Sequence, residues 1–475
     1  MNMPRITSVA PPSPATYEEL LAENAQLRAE NARLKRRVAQ LELQVARLTR
    51  ELETLRRQDK RQAAPFRKQD EPGTAPKKPG RKSGRRHGRH AHRPPPPRID
   101  ETYDAPLPPE CPHCHQPRLH KTGVIVQYQT EIPRQVLYRQ FNVETGRCQH
   151  CGQAVAGRHP LMTSTASGAA ASQFGPNVHA TLTLMNKECG LSHGKCVKLL
   201  KAMFGLNMSR GESARSTART ARRCEPASAE IRQAVHDAPV VTPDETGWRV
   251  AGRNAWLHVF ATPQATCYEI DPTRSAGPAE RLLGRDWSGT LVHDGWSPYG
   301  RLKAAAHQQC LRHLQRRCQE LLLTARGGAA RLPRAVLTLI DLAYEVRRRW
   351  RGHRIDRDAM ADAYLALSCA LEDLFSREYH SPSNRRLAKH LRAHALEWFR
   401  FLLDPAIEAT NHEAERGLRP AVVNRKVWGG NRTWPGAHAQ AVLASVLRTC
   451  AQRLLPVFDF LVKAICSPRP QPLLG

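Results

Sequence analysis

The chain has 475 residues and a formal net charge of +30 at pH 7, with 73 lysines and arginines against 43 aspartates and glutamates. Its 40% of hydrophobic residues is enough for several folded domains, which excludes a wholly disordered protein. The basic excess indicates a partner rich in phosphate. No apolar run approaches the roughly 20 residues that span a bilayer, and residues 1–19 lack the apolar stretch of a signal peptide. We therefore expect a soluble, intracellular protein.

Residues 17–57 carry a heptad repeat that predicts a leucine-zipper coiled coil. Two asparagines at a positions, Asn24 and Asn31, favour a parallel dimer, and so does the opposite charge of facing g and e positions such as Glu23 and Arg28. The leucines at d are Leu20, Leu27, Leu34, Leu41, Leu48 and Leu55. The alternative is a single solvated helix that folds back on its own chain.

Residues 58–100 are rich in Pro, Gly, Arg, Lys and His and contain few apolar residues. Such a segment cannot bury enough surface to offset chain entropy, so we predict a disordered basic linker. It would lie along DNA phosphates and add salt-sensitive affinity. The candidate phosphate contacts are Arg81, Lys82, Arg85 and Arg86. The alternative is a spacer whose charge only keeps the protein in solution.

Two C-x-x-C pairs flank residues that alternate between apolar and polar side chains. Cys111 and Cys114 open this region, and Cys148 and Cys151 close it. Thiolates at this spacing suit a tetrahedral zinc ion, so residues 105–160 are predicted to form a zinc ribbon with a β-hairpin over residues 124–143. A redox-active cysteine pair is the competing interpretation. The helical, Ser/Arg-rich residues 168–230 are predicted to lead into the next domain and to be able to contact DNA.

The stretch VVTPDETGW, residues 240–248, places Asp244 and Glu245 after an apolar run. We predict three successive strands here, then a helix, then a strand that ends at Asp294. Both aspartates would finish strands, where functional groups converge in α/β sheets. Period-two alternation puts Asp244 and Glu245 on opposite faces, so only one of them can join Asp294. Taken singly, each acid could simply belong to a turn.

Residues 408–436 are predicted to begin as a helix with Glu415 and to continue as a basic strand or hairpin. Carboxylates from two strands and one helix would bind two Mg²⁺ ions for phosphoryl transfer. The candidate DNA contacts beside them are Arg416, Arg419, Arg425 and Lys426 for phosphates, and Trp428 and Trp434 for stacking. The alternative is an exposed helix with ordinary charge pairs. His307, Cys310 and His313 are predicted to pack behind Asp294, with a metal site as the alternative.

The blocks DETGW at 244–248, HDGWSPY at 293–299, CLRHLQR at 310–316 and NHEAERGLRP at 411–420 resemble those of DDE transposases of bacterial insertion sequences, family sixty-six. The resemblance implies an RNase H-like core over residues 236–436, interrupted by a helical insertion at about 320–400, and a C-terminal helical element over residues 437–475. It implies Asp244, Asp294 and Glu415 as the three catalytic acids. The chain departs from the family pattern at Glu413, which cannot face the metals together with Glu415 because the two are about 200° apart on a helix.

The expected fold class is therefore multidomain α+β, with a coiled coil, a zinc ribbon and an RNase H-like α/β core. The expected function is Mg²⁺-dependent cleavage of double-stranded DNA at terminal inverted repeats and joining of 3′-hydroxyl ends to target DNA. Two ions of Mg²⁺ and structural Zn²⁺ are the expected cofactors. A homodimer, associated with the bacterial nucleoid and with possible companion proteins of the same element, is the expected assembly. The alternatives are a non-catalytic DNA-binding regulator and an RNase H-like nuclease without strand transfer.

Overall fold

The computed structural model describes residues 95–163 except 118 and 134, residues 173–467 except 304, residues 469 and 471–474, and a few separate residues between 22 and 38. Those few residues are helical. The rest of the predicted coiled coil lies outside the described residues, as does most of the basic linker, including Arg81, Lys82, Arg85 and Arg86. The chain divides into two compact units, Met1–Glu131 and Ile132–Gly475.

The hairpin predicted over residues 124–143 is not formed in the described part of that range. The paired strands of this region are instead β1 (Thr145–Arg147) and β2 (Ala154–Ala156), which are antiparallel and enclose the second cysteine pair. Side chains such as Ile125 and Tyr138 are 88% and 84% exposed. Alternation yields a strand only where a neighbour pairs with it and a core covers its apolar face, and neither condition is met at these residues.

A mixed five-stranded sheet forms the centre of the second unit. Its strands are β3 (Val240–Val250), β4 (Arg253–Ala261), β5 (Thr266–Asp271), β6 (Thr290–His293) and β7 (Ala306–Gln309), in the order β5-β4-β3-β6-β7. The first three are antiparallel, whereas β6 is parallel to both β3 and β7. Ala251 and Gly252 both have positive φ, as a two-residue hairpin turn between β3 and β4 requires. The three predicted strands and the later strand before Asp294 are confirmed.

Helices cover both faces of this sheet. The described helices are α1 (Pro176–Thr183), α2 (His193–Phe204), α3 (Arg210–His236), α4 (Gly277–Leu283), α5 (Leu311–Thr324), α6 (Arg331–Arg351), α7 (Arg357–Ser376), α8 (Pro382–Ala393), α9 (His412–Trp428), α10 (Trp434–Gln452) and α11 (Val457–Cys466). On one face, Val241 and Leu291 share a buried cluster with Ile231 of α3, Leu443 of α10 and Leu461 of α11. In the described parts of residues 168–230 and 437–475, helices α1 to α3, α10 and α11 agree with the helical character predicted there.

Helices α5 to α8 form a second buried cluster that meets the sheet at β6. Val292 alternates with Leu291 along the strand and packs with Leu314, Val336 and Phe401. Helical structure was predicted for residues 320–400, and the structure has it there. The chain therefore leaves the sheet after β7, builds this helical layer, and returns to the sheet with α9.

Helix α9 packs on the face of the sheet opposite α3. Its Ala414 and Leu418 share a buried cluster with Leu257 and Val259 of β4. The helix continues to Trp428, so the strand or hairpin predicted after Arg419 is wrong. The β-branched residues there suggest a strand by propensity, but burial of a helical face outweighs that weak preference. No helix in the described part of the chain is long and apolar enough to cross a membrane.

Candidate active site

Asp244 lies within β3 and not at its end. The parallel pairing of β3 with β6 stops at Val241, whereas the antiparallel pairing with β4 continues to Val250. The prediction that Asp244 finishes a strand is therefore wrong, because the β3–β4 hairpin extends the strand beyond it. Asp244 alternates in phase with Trp248, which packs in the cluster of α9. The aspartate thus belongs to the face of the sheet that carries α9.

Asp294 follows the last residue of β6, as predicted. Its Oδ1 atom accepts a hydrogen bond of 3.0 Å from the backbone N–H of Trp296, so the carboxylate shapes its own turn. Gly295 has a φ of +90°, and a Cβ atom there would lie 2.7 Å from Oε1 of Gln309. Only glycine meets both conditions without strain. The turn therefore presents Asp294 at the surface, beside the point where β3 separates from β6.

Glu415 lies in the first turn of α9, and its side chain is 48% exposed. Gly417 lets the helix approach the sheet, because a Cβ atom there would lie 3.2 Å from Cγ2 of Val259. The hydroxyl of Tyr268 donates a hydrogen bond of 2.7 Å to the carbonyl of Gly417. Glu413 is engaged elsewhere, since its carboxylate lies 3.2 Å from the guanidinium of Arg416. The two glutamates therefore have different surroundings on the same helix.

The charge of Asp244 depends on its acidic neighbours. The pKa of Asp244 is raised to about 7, chiefly by burial and also by the negative charges of Glu245, Asp294 and Glu415, against a hydrogen bond from the N–H of Glu245 that lowers it. Carboxylates on β3, in the turn after β6 and on α9 thus all affect the protonation of Asp244. Among the described residues, no three His, Cys, Asp or Glu side chains are close enough to enclose a metal ion. The acids are electrostatic neighbours that do not form a closed cage.

A divalent cation fits this set of donors. Mg²⁺ prefers carboxylate oxygens, and its charge would offset the repulsion that raises the pKa of Asp244. Asp294 and Glu415 are both exposed to solvent, so neither has to leave the core to bind a cation. Asp244, Asp294 and Glu415 remain the predicted ligands of such an ion.

Glu245 points to the face of β3 opposite Asp244, in agreement with the predicted alternation, and burial and the charge of Asp294 both raise its pKa. Its side chain is 2% exposed, and one carboxylate oxygen accepts hydrogen bonds of 2.9 and 2.7 Å from Arg274. The other oxygen accepts a hydrogen bond of 2.9 Å from the hydroxyl of Tyr299. Sequence reasoning missed both partners, although Tyr299 lies in the quoted HDGWSPY block.

An open cleft of about 470 Å³ adjoins Asp294. It lies between α5 and residues 390–398 of the helical layer, and it combines the carboxylate with basic side chains. Its lining is Asp294, Gln309, Cys310, His313, Leu314, Arg316, Arg317, Glu320, His390 and Trp398. Neither Arg316 nor Arg317 is among the site residues predicted from the sequence. The adjacent pair of arginines, of which Arg316 ends the quoted block CLRHLQR and Arg317 follows it, is the signal that could have found them.

His307, Cys310 and His313 do not form a metal site among the described residues. His307 lies 2.9 Å from the Nε2 atom of His293, and burial raises the pKa of the Cys310 thiol, which keeps the thiol neutral. His313 lines the cleft, and its Nε2 atom lies 3.9 Å from a carboxylate oxygen of Glu415. The first two residues thus pack behind Asp294, as predicted.

The candidate DNA contacts of α9 have different surroundings. Arg425 donates hydrogen bonds to Thr246 and to the carbonyl of Gly247, so it fastens the helix to β3. Trp428 contacts the ring of Trp248 edge to face at 5.7 Å, and the ammonium group of Lys187 lies 5.5 Å from its ring centre. Trp428 therefore packs against other side chains of the fold. Arg416 and Arg419 are exposed, and Lys426 lies near Arg425 on the same helix; Trp434 is 46% exposed at the start of α10.

The two C-x-x-C pairs form similar turns, each within its own unit. In the first, the N–H of Cys111 donates to the carbonyl of Gln116, and in the second the N–H of Cys148 donates to that of Gln153. Hydrogen bonds from the backbone N–H groups of His113 and Cys114 lower the pKa of the Cys111 thiol, and those of Cys151 and His150 lower that of Cys148. All thirteen cysteines are free. Turns that favour thiolates suit zinc ligation.

Carboxylates gathered on a mixed sheet in a chain of net charge +30 are typical of a protein that processes nucleic acid. The chain belongs to the transposase IS66 family, whose family model matches residues 171–439, more than half of its length. It is also 28% identical over 244 residues to the "Uncharacterized protein y4qI" of Sinorhizobium fredii (strain NBRC 101917 / NGR234), across 44% of this chain and 43% of that protein. The alignment thus spans less than half of the relative. Family membership supports a transposase role.

Proposed function

We propose that this protein is a Mg²⁺-dependent DDE transposase that cleaves DNA at the ends of its element and joins the 3′-hydroxyl ends to target DNA. One arrangement carries the proposal: β3, the turn after β6 and the first turn of α9 bring Asp244, Asp294 and Glu415 from distant parts of the chain near enough for their charges to interact. The mixed sheet, with three antiparallel strands followed by two parallel ones, supports the RNase H-like core that the family resemblance implies.

In this proposal the three carboxylates hold the cation and no protein side chain acts as a nucleophile. Asp244 supplies the central ligand because it is the most buried of the three. Asp294 and Glu415 supply ligands from a turn and a helix that border it. Two bound Mg²⁺ ions would activate water or a 3′-hydroxyl and stabilise the leaving oxygen of an in-line displacement.

Basic side chains near the acids would hold the DNA backbone. Arg316 and Arg317 line the cleft beside Asp294, and Arg416 follows Glu415 on α9. Contacts of this kind position DNA without reading its sequence. The linker arginines and the coiled coil would add affinity and a second copy of the chain. The thiolates of Cys111, Cys114, Cys148 and Cys151 are proposed as zinc ligands, on the strength of the two thiolate-favouring turns.

The test is a cleavage and joining assay on DNA that carries the element's ends, with Mg²⁺ present. Asp244→Asn, Asp294→Asn and Glu415→Gln should each lose at least about 100-fold in rate, because each removes a proposed metal ligand. Glu413→Gln is the matched control, since it lies on the same helix and pairs with Arg416. Equal rates in all variants would exclude the three acids as catalytic residues, and a wild type that does not cleave would point to a non-catalytic regulator. Hydrolysis without joining of pre-cleaved ends would point to a nuclease.

A further inference from the structure

Three aromatic or charged side chains connect the strand of Asp244 to the turn of Asp294. Glu245, next to Asp244 on β3, accepts hydrogen bonds from Arg274 and from Tyr299. Tyr299 lies in the short helical turn Ser297–Arg301, directly after Asp294, and is 1% exposed. The buried carboxylate of Glu245 thus links β3, which carries Asp244, to the turn that follows Asp294.

Arg274 extends this connection to the other end of the Asp294 turn. Its guanidinium lies 5.0 Å from the ring centre of Trp296 and 5.0 Å from that of Trp256 on β4. Trp296 in turn meets Tyr299 edge to face at 5.1 Å, and the backbone N–H of Trp296 donates to Oδ1 of Asp294. Arginine is suited to such a place because its planar group stacks on aromatic faces while its N–H groups bind a carboxylate.

We propose that Glu245 is a positioning residue, whose carboxylate, bound to Tyr299 and Arg274, fixes the turn that bears Asp294 against the strand that bears Asp244. The proposal rests on the proposed function, since it concerns the ligands of that site. Glu245 itself lies on the opposite face of β3 from Asp244 and is not one of the proposed ligands. It acts on the spacing of Asp244 and Asp294 through the partners on its own side of the sheet.

Plain stabilisation does not account well for this arrangement. Replacing a buried ion pair by apolar residues is often neutral or stabilising, so a buried carboxylate is weak evidence of a stability role. Both partners of Glu245, however, are tied to the Asp294 turn, one through its position in the chain and one through Trp296. Outer partners that orient ligands typically contribute 10- to 100-fold to metal affinity or activity.

Amide hydrogen exchange of the full chain, measured without divalent cations, tests directly whether Glu245 fixes the turn that bears Asp294. Tyr299→Phe removes only the hydroxyl and keeps the ring, and Glu245→Gln removes the charge that both partners bind. Each variant should raise amide exchange over residues 294–301 about tenfold, because a hydrogen bond to a charged group is lost there. Glu269→Gln is the control for the glutamate, since Glu269 on β5 also pairs with arginines, Arg232 and Arg281. Tyr379→Phe is the control for the tyrosine, since its hydroxyl donates to the carbonyl of Leu374.

Mn²⁺ binding by calorimetry then tests the consequence for the site. The affinity of the Glu245→Gln and Tyr299→Phe proteins should fall about tenfold, while the two controls should bind as the wild type does. Unchanged exchange over residues 294–301 in both variants would overturn the proposal, and so would raised exchange with unchanged Mn²⁺ affinity. A wild type that binds no Mn²⁺ would count against the proposed function, whereas the exchange result would still show whether Glu245 fixes the Asp294 turn.

Discussion

The Nε2 atom of His293 lies 2.9 Å from the Nδ1 atom of His307, directly beneath the turn that carries Asp294. The Nδ1 atom of His293 accepts a hydrogen bond of 3.0 Å from the N–H of Gly295, so Nε2 carries the proton and donates to His307. This pairing holds the turn only while His293 is neutral. Burial, assisted by the neighbouring His307, lowers the pKa of His293 to about 3.

Acid should therefore destabilise the protein through His293. Its folded-state pKa is below the ordinary value of 6.5, so its contribution is complete above about pH 6.5 and is lost as the pH falls towards 3. Between pH 6.5 and 4, unfolding of the His293→Gln protein should take up close to one proton fewer than unfolding of the wild type. Its free energy of unfolding should therefore depend less steeply on pH. Urea unfolding over that pH range measures it, with the exposed His380→Gln as control. Parallel profiles for all three proteins would contradict the prediction.

Asp244→Asn should stabilise the protein when no divalent cation is present. The folded-state pKa of Asp244 is raised from 3.8 to about 7, so the wild type loses stability as the pH rises through that window. The amide should gain on the order of 2 kcal/mol above pH 7 and little near pH 4. Thermal unfolding at both pH values checks this. Added Mg²⁺ should raise the unfolding temperature of the wild type but not that of the variant, and a variant less stable at pH 8 would refute the argument.

Gly295→Ala should disturb the Asp294 turn. The added Cβ atom would lie 2.7 Å from Oε1 of Gln309, at a φ of +90°. A loss of roughly 1–3 kcal/mol in the free energy of unfolding is expected from the strained backbone, together with loss of DNA cleavage. Gly300→Ala is the matched control, because a Cβ atom there meets nothing within 4 Å. Chemical unfolding and the cleavage assay should separate the two variants.

Arg425 and Arg416 should respond differently to substitution. Arg425 binds Thr246 and Gly247 of β3, so Arg425→Gln should lower the unfolding free energy by about 1–3 kcal/mol. Arg416 forms an exposed pair with Glu413, so Arg416→Gln should leave stability within about 0.5 kcal/mol. The latter should instead weaken DNA binding and reduce its salt slope by about one unit. Binding titrations at several salt concentrations distinguish the two roles.

Zinc content should depend on the two cysteine turns. Cys111→Ser and Cys148→Ser should each lower the zinc bound per chain, because each removes a thiolate that its backbone favours. Cys369→Ser serves as control, since that cysteine is exposed and lies on α7, outside both turns. Elemental analysis after dialysis gives the stoichiometry. A protein that contains no zinc would exclude the metal, and one that keeps all of its zinc in both variants would exclude these cysteines as the ligands.

Local patterns predicted the strands and helices of the second unit well, because alternation and helical spacing there coincide with real burial. Asp294 at the end of β6 is one example. The patterns failed where contacts with other parts of the chain determine the structure. The hairpin turn at Ala251 and Gly252 extends β3 past Asp244, and packing against the sheet keeps α9 helical to Trp428. The partners of Glu245 were also beyond sequence reasoning, because Arg274 comes from a loop that only the folded sheet brings near β3.

The order of the segments along the chain has a consequence for protein synthesis. The strands that carry Asp244 and Asp294 precede the helical layer, and α9 with Glu415 follows it. A ribosome therefore releases the sheet and its two aspartates well before the third acid has emerged. Under the proposed function, a nascent or prematurely terminated chain that ends before α9 would hold DNA through its basic segments yet be unable to cut it, and could compete with finished copies for the same ends.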